Sequence, residues 1–356
     1  MNVDHANTHS SFKDPVYMSN LCQEITLPTK PLQHIDDDKG EIALCILSAI
    51  NVGVIKELDD LEELCDLAVR ALDEIIDYQK YPVNAAEIST KARRSLGVGY
   101  IGLAHYLAKN QVLYSDKKAL TLVHRLSEAF QFNLLKASLN LAKEKGKCDG
   151  FERTKYADGI LPIDTYKKEL DEICDIKLQY DWDWLREEIV KHGIRHSTLS
   201  AQMPSESSSV VSNATNGIEP PRGYLSVKKS KKGPLKQVVP QYQTLKNHYT
   251  LLWDMPSNDG YINIVAVMQK FFDQAISGNW SYNPTHFDNN EVPMSIMIKD
   301  LLNTYKYGWK TSYYQNTYDY KSDGDIEDEP KQEPLSREEF EGTDKEYEEH
   351  CEACAI

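Results

Sequence analysis

The chain has no cationic amino-terminal patch followed by an apolar stretch. It opens "MNVDHANTHS", which is polar and mixed, so no secretory signal is expected. Long apolar runs are also missing. The longest, residues 42–55, is broken by Ser48, Asn51 and Gly53 and falls short of the ~18 residues that a membrane helix needs. The seven cysteines are an odd number scattered over 356 residues, which excludes the paired framework of a small secreted domain. Reduced thiols are expected, some of them chemical. These absences together predict a soluble, cytoplasmic protein with no membrane partner.

Positive charge is scarce as well, but unevenly so. Residues 323–352 hold fourteen acids against Lys331, Arg337 and Lys345, so −11 of the formal −15 lies there and −4 in the rest. The body is close to neutral and the acidity belongs to the tail. One basic run, "KKSKKGPLK" at 228–236, carries Gly-Pro between "YLSV" and "QVVP" and reads as a hairpin tip rather than a phosphate-tracking surface, so no nucleic-acid partner is expected.

What is present is a mixture of helix and strand patterns. Leu58, Leu61, Leu64, Ala68, Leu72 and Ile75 recur at helical spacing in "ELDDLEELCDLAVRALDEIIDYQ", with Cys65 on the apolar stripe as a core residue. A second long helix fits "SDKKALTLVHRLSEAFQFNLLKASLNLAKEKGK", with Ser115 as N-cap and Gly146 near the stop. Shorter helices fit "PIDTYKKELDEI", "DWDWLREEIVKHG" and "PMSIMIKDLLNTYKYG". "STLSAQMP", "YLSVKK", "QVVPQ" and "TSYYQNT" read as strands. The fold class is therefore α/β, with a folded body over 1–320 and a flexible acidic tail over 321–356.

Several stretches carry candidate chemistry. "GVGYIG" has dinucleotide-type glycine spacing, but the polar "EISTKARRSL" before it is no buried strand, so it reads as a glycine-containing helix packed closely on a neighbour. His5 and His9 have no third metal ligand. "PSESSS" follows an apolar strand and sets hydroxyls and N–H groups where a helix begins, which suits phosphate. "SNLCQEI", if extended, puts Asn20, Cys22 and Glu24 on one face; an ordinary strand with a buried cysteine is the plainer reading. Tyr313 and Tyr314 are adjacent, and on a regular strand they would face opposite sides.

Taken in order, "NLCQEITLPTKPL", "GEIALC", "GIRHSTLSAQMPSESSS", "SNATNGIEPPRGY", "NDGYINIVAVMQKFFDQ" and "TSYYQNT" resemble the carboxyl-terminal half of the class Ia ribonucleotide reductase large subunit, of the bacterial and T-even-like phage type. The likeness runs from about residue 1 to the tail. It implies the carboxyl-terminal half of a ten-stranded α/β barrel with a finger loop. Carried over by motif, it also implies that Cys22 forms the thiyl radical, that Glu24 takes the 3′-hydroxyl proton, and that Asn20 holds the sugar hydroxyls. Cys45 would be one of two cysteines that become a disulfide. Ser205, Glu206, Ser207 and Ser208 would bind the phosphates of a ribonucleoside diphosphate. Tyr313 and Tyr314 would pass the oxidising equivalent from the small subunit, whose dimetal site makes a tyrosyl radical, so no cofactor is expected on this chain itself. Cys351 and Cys354, in "HCEACAI", would shuttle electrons from thioredoxin or glutaredoxin.

Three features depart from the family pattern. His196 stands where many relatives have Asn, Ala6 replaces a Cys of some, and the tail cysteines have C-x-x-C spacing, which with His350 offers only three zinc ligands. The tyrosine pair disfavours a cobalamin-dependent relative, and no glycine-radical loop precedes the tail. The family's amino-terminal half, with its nucleotide-binding regulatory parts and the partner of Cys45, has no counterpart here. The expectation is a split-gene product or fragment, active only with a separate amino-terminal polypeptide and the small subunit. The alternative is a non-catalytic fragment that docks the small subunit.

Overall fold

The stretch 96–101 is apolar or glycine at every position, and such a run buries on both faces only as an interior strand. In the computed structural model, which describes residues 1–230 and 233–319, it is β2 (Leu96–Ile101), buried throughout. It pairs in parallel with β1 (Ile46–Asn51), from Ile46 opposite Leu96 to Asn51 opposite Ile101. The helix expected for "GVGYIG" is thus a strand. Its glycines do serve close packing, because a Cβ on Gly99 would lie 2.7 Å from the Ala201 carbonyl oxygen.

The parallel pairing continues in chain order. Segment 198–203 lies beside β2 through Leu96 N–H to Thr198 O (3.1 Å), Val98 N–H to Leu199 O (2.8 Å) and Ala201 N–H to Val98 O (3.2 Å). Segment 274–277 follows through Gln202 N–H to Ala275 O (3.1 Å) and Ser277 N–H to Gln202 O (2.9 Å). The antiparallel hairpin of β3 (Leu225–Ser230) and β4 (Gly233–Val238) stands between these two segments in the chain, as its Gly-Pro suggested. The chain then runs into β5 (Trp280–Tyr282), which pairs in parallel with β6 (Gln315–Thr317). Five parallel stretches therefore stand side by side without closing on themselves. Among the described residues no strand lies along the outer edge of β1.

Parallel neighbours require crossovers, and helices supply them. Asp60–Tyr78 and Asn84–Arg93 link β1 to β2, Lys117–Lys145 and Trp182–His192 link β2 to segment 198–203, and Met294–Tyr307 links β5 to β6. The long helix has Asp116 rather than Ser115 at its N-cap position, without a side-chain cap bond, and stops at Gly146, whose φ of +91° suits glycine. "PIDTYKKELDEI" splits into Pro162–Thr165 and a 3₁₀ turn, Lys168–Glu172. Tyr100, Phe130 and Phe272 join sheet to helix, with centroids 5.3 to 5.8 Å apart. His5 and His9 stack at 5.4 Å; His9 bonds Thr165 and the Gln269 carbonyl, and no metal-binding cluster occurs among the described residues. No helix there is long and apolar enough to cross a membrane.

The described residues up to Tyr318 form one unit. The tail expected over 321–356, with Cys351 and Cys354, lies outside the described residues.

Two carboxylates anchor the segment that precedes β1. Glu41 meets Lys30 (2.6 Å), Arg93 (2.8 Å) and Arg153 (2.9 Å), and Asp14 meets the same two arginines at 2.8 Å. Burial alone would raise the Glu41 carboxyl, but the three cations hold it down to about 2. A carboxyl depressed in the folded state stabilises above its unfolded value near 4.5 and stops doing so as pH falls toward 2. The urea midpoint of the native chain should therefore fall more steeply across that window than the midpoint of Glu41→Gln, which should already be less stable at neutral pH.

Candidate active site

"SNLCQEI" is not extended. Asn20 folds it into a tight turn: its side-chain oxygen accepts from Ile25 N–H (3.0 Å), and its backbone oxygen accepts from Gln23 N–H (3.2 Å), with Gln23 at φ +68°. Asparagine favours such a turn because its short side chain replaces a backbone partner. The period-two argument fails here, yet the residues still converge, because the turn brings Asn20 back against Glu24. Burial raises the Glu24 carboxyl, and a hydrogen bond with the Asn20 side chain opposes the rise. Glu24 is buried, and its Oε2 has no hydrogen-bond partner among the described residues. A buried carboxylate oxygen left open in this way is suited to take a proton from a bound hydroxyl.

Cys22 sits at the tip of that turn, half-buried, with the Tyr313 hydroxyl beside its thiol. Tyr313 in turn donates to the Tyr314 hydroxyl at 2.9 Å, with the rings 3.9 Å apart between centroids. The expectation that adjacent tyrosines face opposite sides is therefore overturned. The cause lies in the neighbouring strand: Tyr313 N–H donates to the Gly278 oxygen (2.8 Å) and Tyr314 N–H to the Asn279 side chain (2.9 Å), ahead of the regular pairing of β6. The result is a contact path from the exposed Tyr314 to the thiol.

Cys45 lies just before β1. Its sulfur would be 2.8 Å from a Cβ on Gly97, so glycine there makes room for it. Burial pushes the thiol up to about 12. The side chain of Gln274 donates to this sulfur (3.4 Å) and accepts from Thr26 N–H (3.3 Å), which ties Cys45 to the base of the Cys22 turn. "PSESSS" ends segment 198–203 and begins the helix Glu206–Val211. Ser205 is buried and donates to Met203 O (3.2 Å), while Glu206, Ser207 and Ser208 are exposed at the helix start. The hydrogen bonds of Ser205 and Ser208 stay within residues 203–216, so strand order alone places this loop relative to Cys22.

Sequence reasoning missed Gln274 and Asn279. Gln274 ends a quoted motif and Asn279 lies outside any, but an amide carries no chemical signature until its partners are known.

A parallel α/β array thus carries a half-buried thiol beside a tyrosine pair and a buried carboxylate. Residues 1–315 match the ribonucleotide reductase barrel-domain family, and the chain belongs to it. It is 62% identical over 325 residues to the ribonucleoside-diphosphate reductase subunit alpha of Haemophilus influenzae, covering 90% of this chain and 43% of the relative. The corresponding subunit of Escherichia coli K12 is 59% identical over 90% of this chain and 43% of its own length, and that of phage T4 is 45% identical over 91% and 43%. The chain thus spans less than half the length of these relatives.

The reactivity of Cys22 should follow its neighbours. Burial raises its thiol, Glu24 adds to the rise, and the Tyr313 hydroxyl opposes it. Tyr313→Phe should therefore slow alkylation of Cys22 at pH 8 by roughly threefold or more, and Glu24→Gln should quicken it. Peptide-resolved iodoacetamide labelling measures both; equal rates in all three proteins would mean that the thiol does not sense this triad.

Proposed function

We propose that this chain is the carboxyl-terminal half of the ten-stranded barrel of a ribonucleotide reductase large subunit, with residues 20–25 as its finger loop. With the amino-terminal half and the radical-generating small subunit, it reduces ribonucleoside diphosphates to 2′-deoxyribonucleoside diphosphates. The observation that carries this reading is the unbroken contact path from Tyr314 through Tyr313 to Cys22, with Glu24 and Asn20 beside the thiol.

The dimetal tyrosyl radical of the small subunit supplies the oxidising equivalent, and no metal or cofactor is assigned to this chain. Tyr314 and Tyr313 relay that equivalent, and Cys22 loses its thiol hydrogen to become a thiyl. The thiyl takes the ribose 3′ hydrogen, Glu24 takes the 3′-hydroxyl proton, and Asn20 orients the hydroxyls. The 2′-hydroxyl leaves as water while Cys45 and a cysteine of the other barrel half give up two electrons and form a disulfide. The 3′ hydrogen then returns from Cys22, which regenerates the thiyl. Ser205, Ser207 and Ser208 hold the substrate phosphates through hydroxyls and N–H groups, and Glu206 contributes its N–H at the helix start.

Cys351 and Cys354 reduce the disulfide by exchange and are recharged by thioredoxin or glutaredoxin. The edge of β1, unpaired among the described residues, and the exposed Leu21, Val54 and Val211 support packing against the other barrel half. A bacterial cytoplasm, or that of a phage-infected host, is the proposed setting.

The test is reconstitution. The chain mixed with the amino-terminal half and small subunit should reduce a ribonucleoside diphosphate, and Cys22→Ser should abolish this, whereas a chain that only docks the small subunit would give no turnover to lose. Cys351→Ser should stop multiple turnover with thioredoxin yet leave about one round of product from prereduced enzyme; sustained turnover would remove the shuttle role.

A further inference from the structure

Gln274 is fully buried, and its side-chain amide is fixed at both ends. Its Nε2 donates to the Leu96 oxygen (2.8 Å) and to the Cys45 sulfur (3.4 Å), and its Oε1 accepts from Thr26 N–H (3.3 Å). Exchanging the amide's two ends would set oxygen against the Leu96 carbonyl and N–H against the Thr26 N–H. Both are repulsive, so the donor must face the sulfur. The backbone is held as firmly: Gln274 N–H donates to Ser200 O (3.1 Å), and Gln274 O accepts from Lys310 Nζ (2.6 Å) and Gln269 Nε2 (2.8 Å). Gly97 completes the seat by leaving the sulfur space on the opposite strand.

We propose that Gln274 is a positioning residue for the reductive half of the reaction: its amide N–H stabilises negative charge on the Cys45 sulfur as the Cys45 disulfide is opened by a dithiol. The inference rests on the reading of Cys45 as half of a redox pair. A thiolate of the incoming dithiol attacks the sulfur bonded to Cys45, the S–S bond breaks, and the electron pair leaves on Cys45, which then takes up a proton. The second thiol of the dithiol displaces the mixed disulfide, so the dithiol is oxidised and the pair reduced.

A sulfur of lower pKa leaves faster. Burial pushes the Cys45 thiol up to about 12, Asp273 and Glu24 both add to the rise, and the Gln274 donor is the group that opposes it. The donor therefore makes Cys45 a better leaving sulfur than burial alone would leave it, which favours attack of the incoming dithiol on the sulfur bonded to Cys45.

The experiment is peptide-resolved alkylation of Cys45 with iodoacetamide at pH 9 in the full chain, with Cys22 as internal reference. Gln274→Met keeps the volume and removes the donor; it should slow Cys45 about tenfold and leave Cys22 nearly unchanged. A purely structural role predicts the opposite sign, since a loosened core exposes the sulfur and speeds its reaction. Gly97→Ala reaches the same bond from the other side by displacing the sulfur, and it should slow Cys45 as well; it decides the matter if Gln274→Met loses cooperative melting. Unchanged or faster labelling of Cys45 would overturn the proposal. In the reconstituted enzyme, Gln274→Met should lose more of the rate at which dithiothreitol recycles the enzyme than of the first round from prereduced enzyme. Full multiple turnover by Cys45→Ser would instead remove the redox-pair reading, and the labelling result would stand apart from it.

Discussion

The carboxylate of Asp273 fixes where the third and fourth parallel stretches begin, and the site hangs from that point. One oxygen accepts from Tyr156 O–H (2.7 Å) and Leu199 N–H (2.8 Å); the other accepts from Ser200 N–H (2.9 Å) and Ser200 O–H (3.1 Å). Ser200 closes the loop by accepting from Asp273 N–H (2.9 Å). A buried carboxylate is costly unless every lone pair is used, and here four donors use them. The network sets the register of segment 198–203 against 274–277. Register in turn aims Gln274 at Cys45 and Thr26, and the neighbouring Ala275 N–H at the Glu24 backbone oxygen (3.0 Å).

Lys310 extends this constraint to the tyrosines. It is buried, and its ammonium donates to the carbonyls of Asp273 (2.9 Å) and Gln274 (2.6 Å). Burial brings its pKa down to about 7, with the Asp273 charge opposing the fall. Three residues later Tyr313 meets Cys22. The Trp309 indole and the Thr311 hydroxyl both donate to the Ile276 carbonyl (3.0 Å each), so three successive residues leading to the tyrosines are tied to carbonyls of the neighbouring segment. The tyrosine pair and the two thiols are thus positioned from the same stretch of main chain, 273–276.

The sequence made the long helices plain because apolar spacing is a local property: Leu61, Cys65 and Leu72 needed no tertiary knowledge to be placed on one face. Strand β2 was misread, because a glycine-rich strand preceded by polar residues looks local and is not. Its reason lies in Cys45, Leu47 and Ala201, which are far away in the chain. The Cys22 turn was misread for a related reason. A seven-residue alternation suits a strand, but the Asn20 side chain competes for the Ile25 N–H and closes a turn instead. The candidate residues themselves came from resemblance to a family rather than from periodicity. Gln274 shows what that route omits, because a buried amide matters only through what its two ends touch.

The two described thiols of the site differ in a way that suits opposite tasks. Removing a hydrogen atom from sulfur requires an S–H bond, so a thiol held protonated at neutral pH is an advantage. Both Cys22 and Cys45 are raised from the ordinary value, chiefly by burial. Exchange with a disulfide requires the other state, because the thiolate is the group that attacks and leaves. Cys22 has a hydroxyl partner that leads outward along the tyrosines. Cys45 has an amide partner whose orientation is locked by Leu96 and Thr26. Burial favours the protonated form of both sulfurs, and the fixed Gln274 donor offsets part of that penalty at Cys45, the sulfur that carries negative charge in the exchange proposed above.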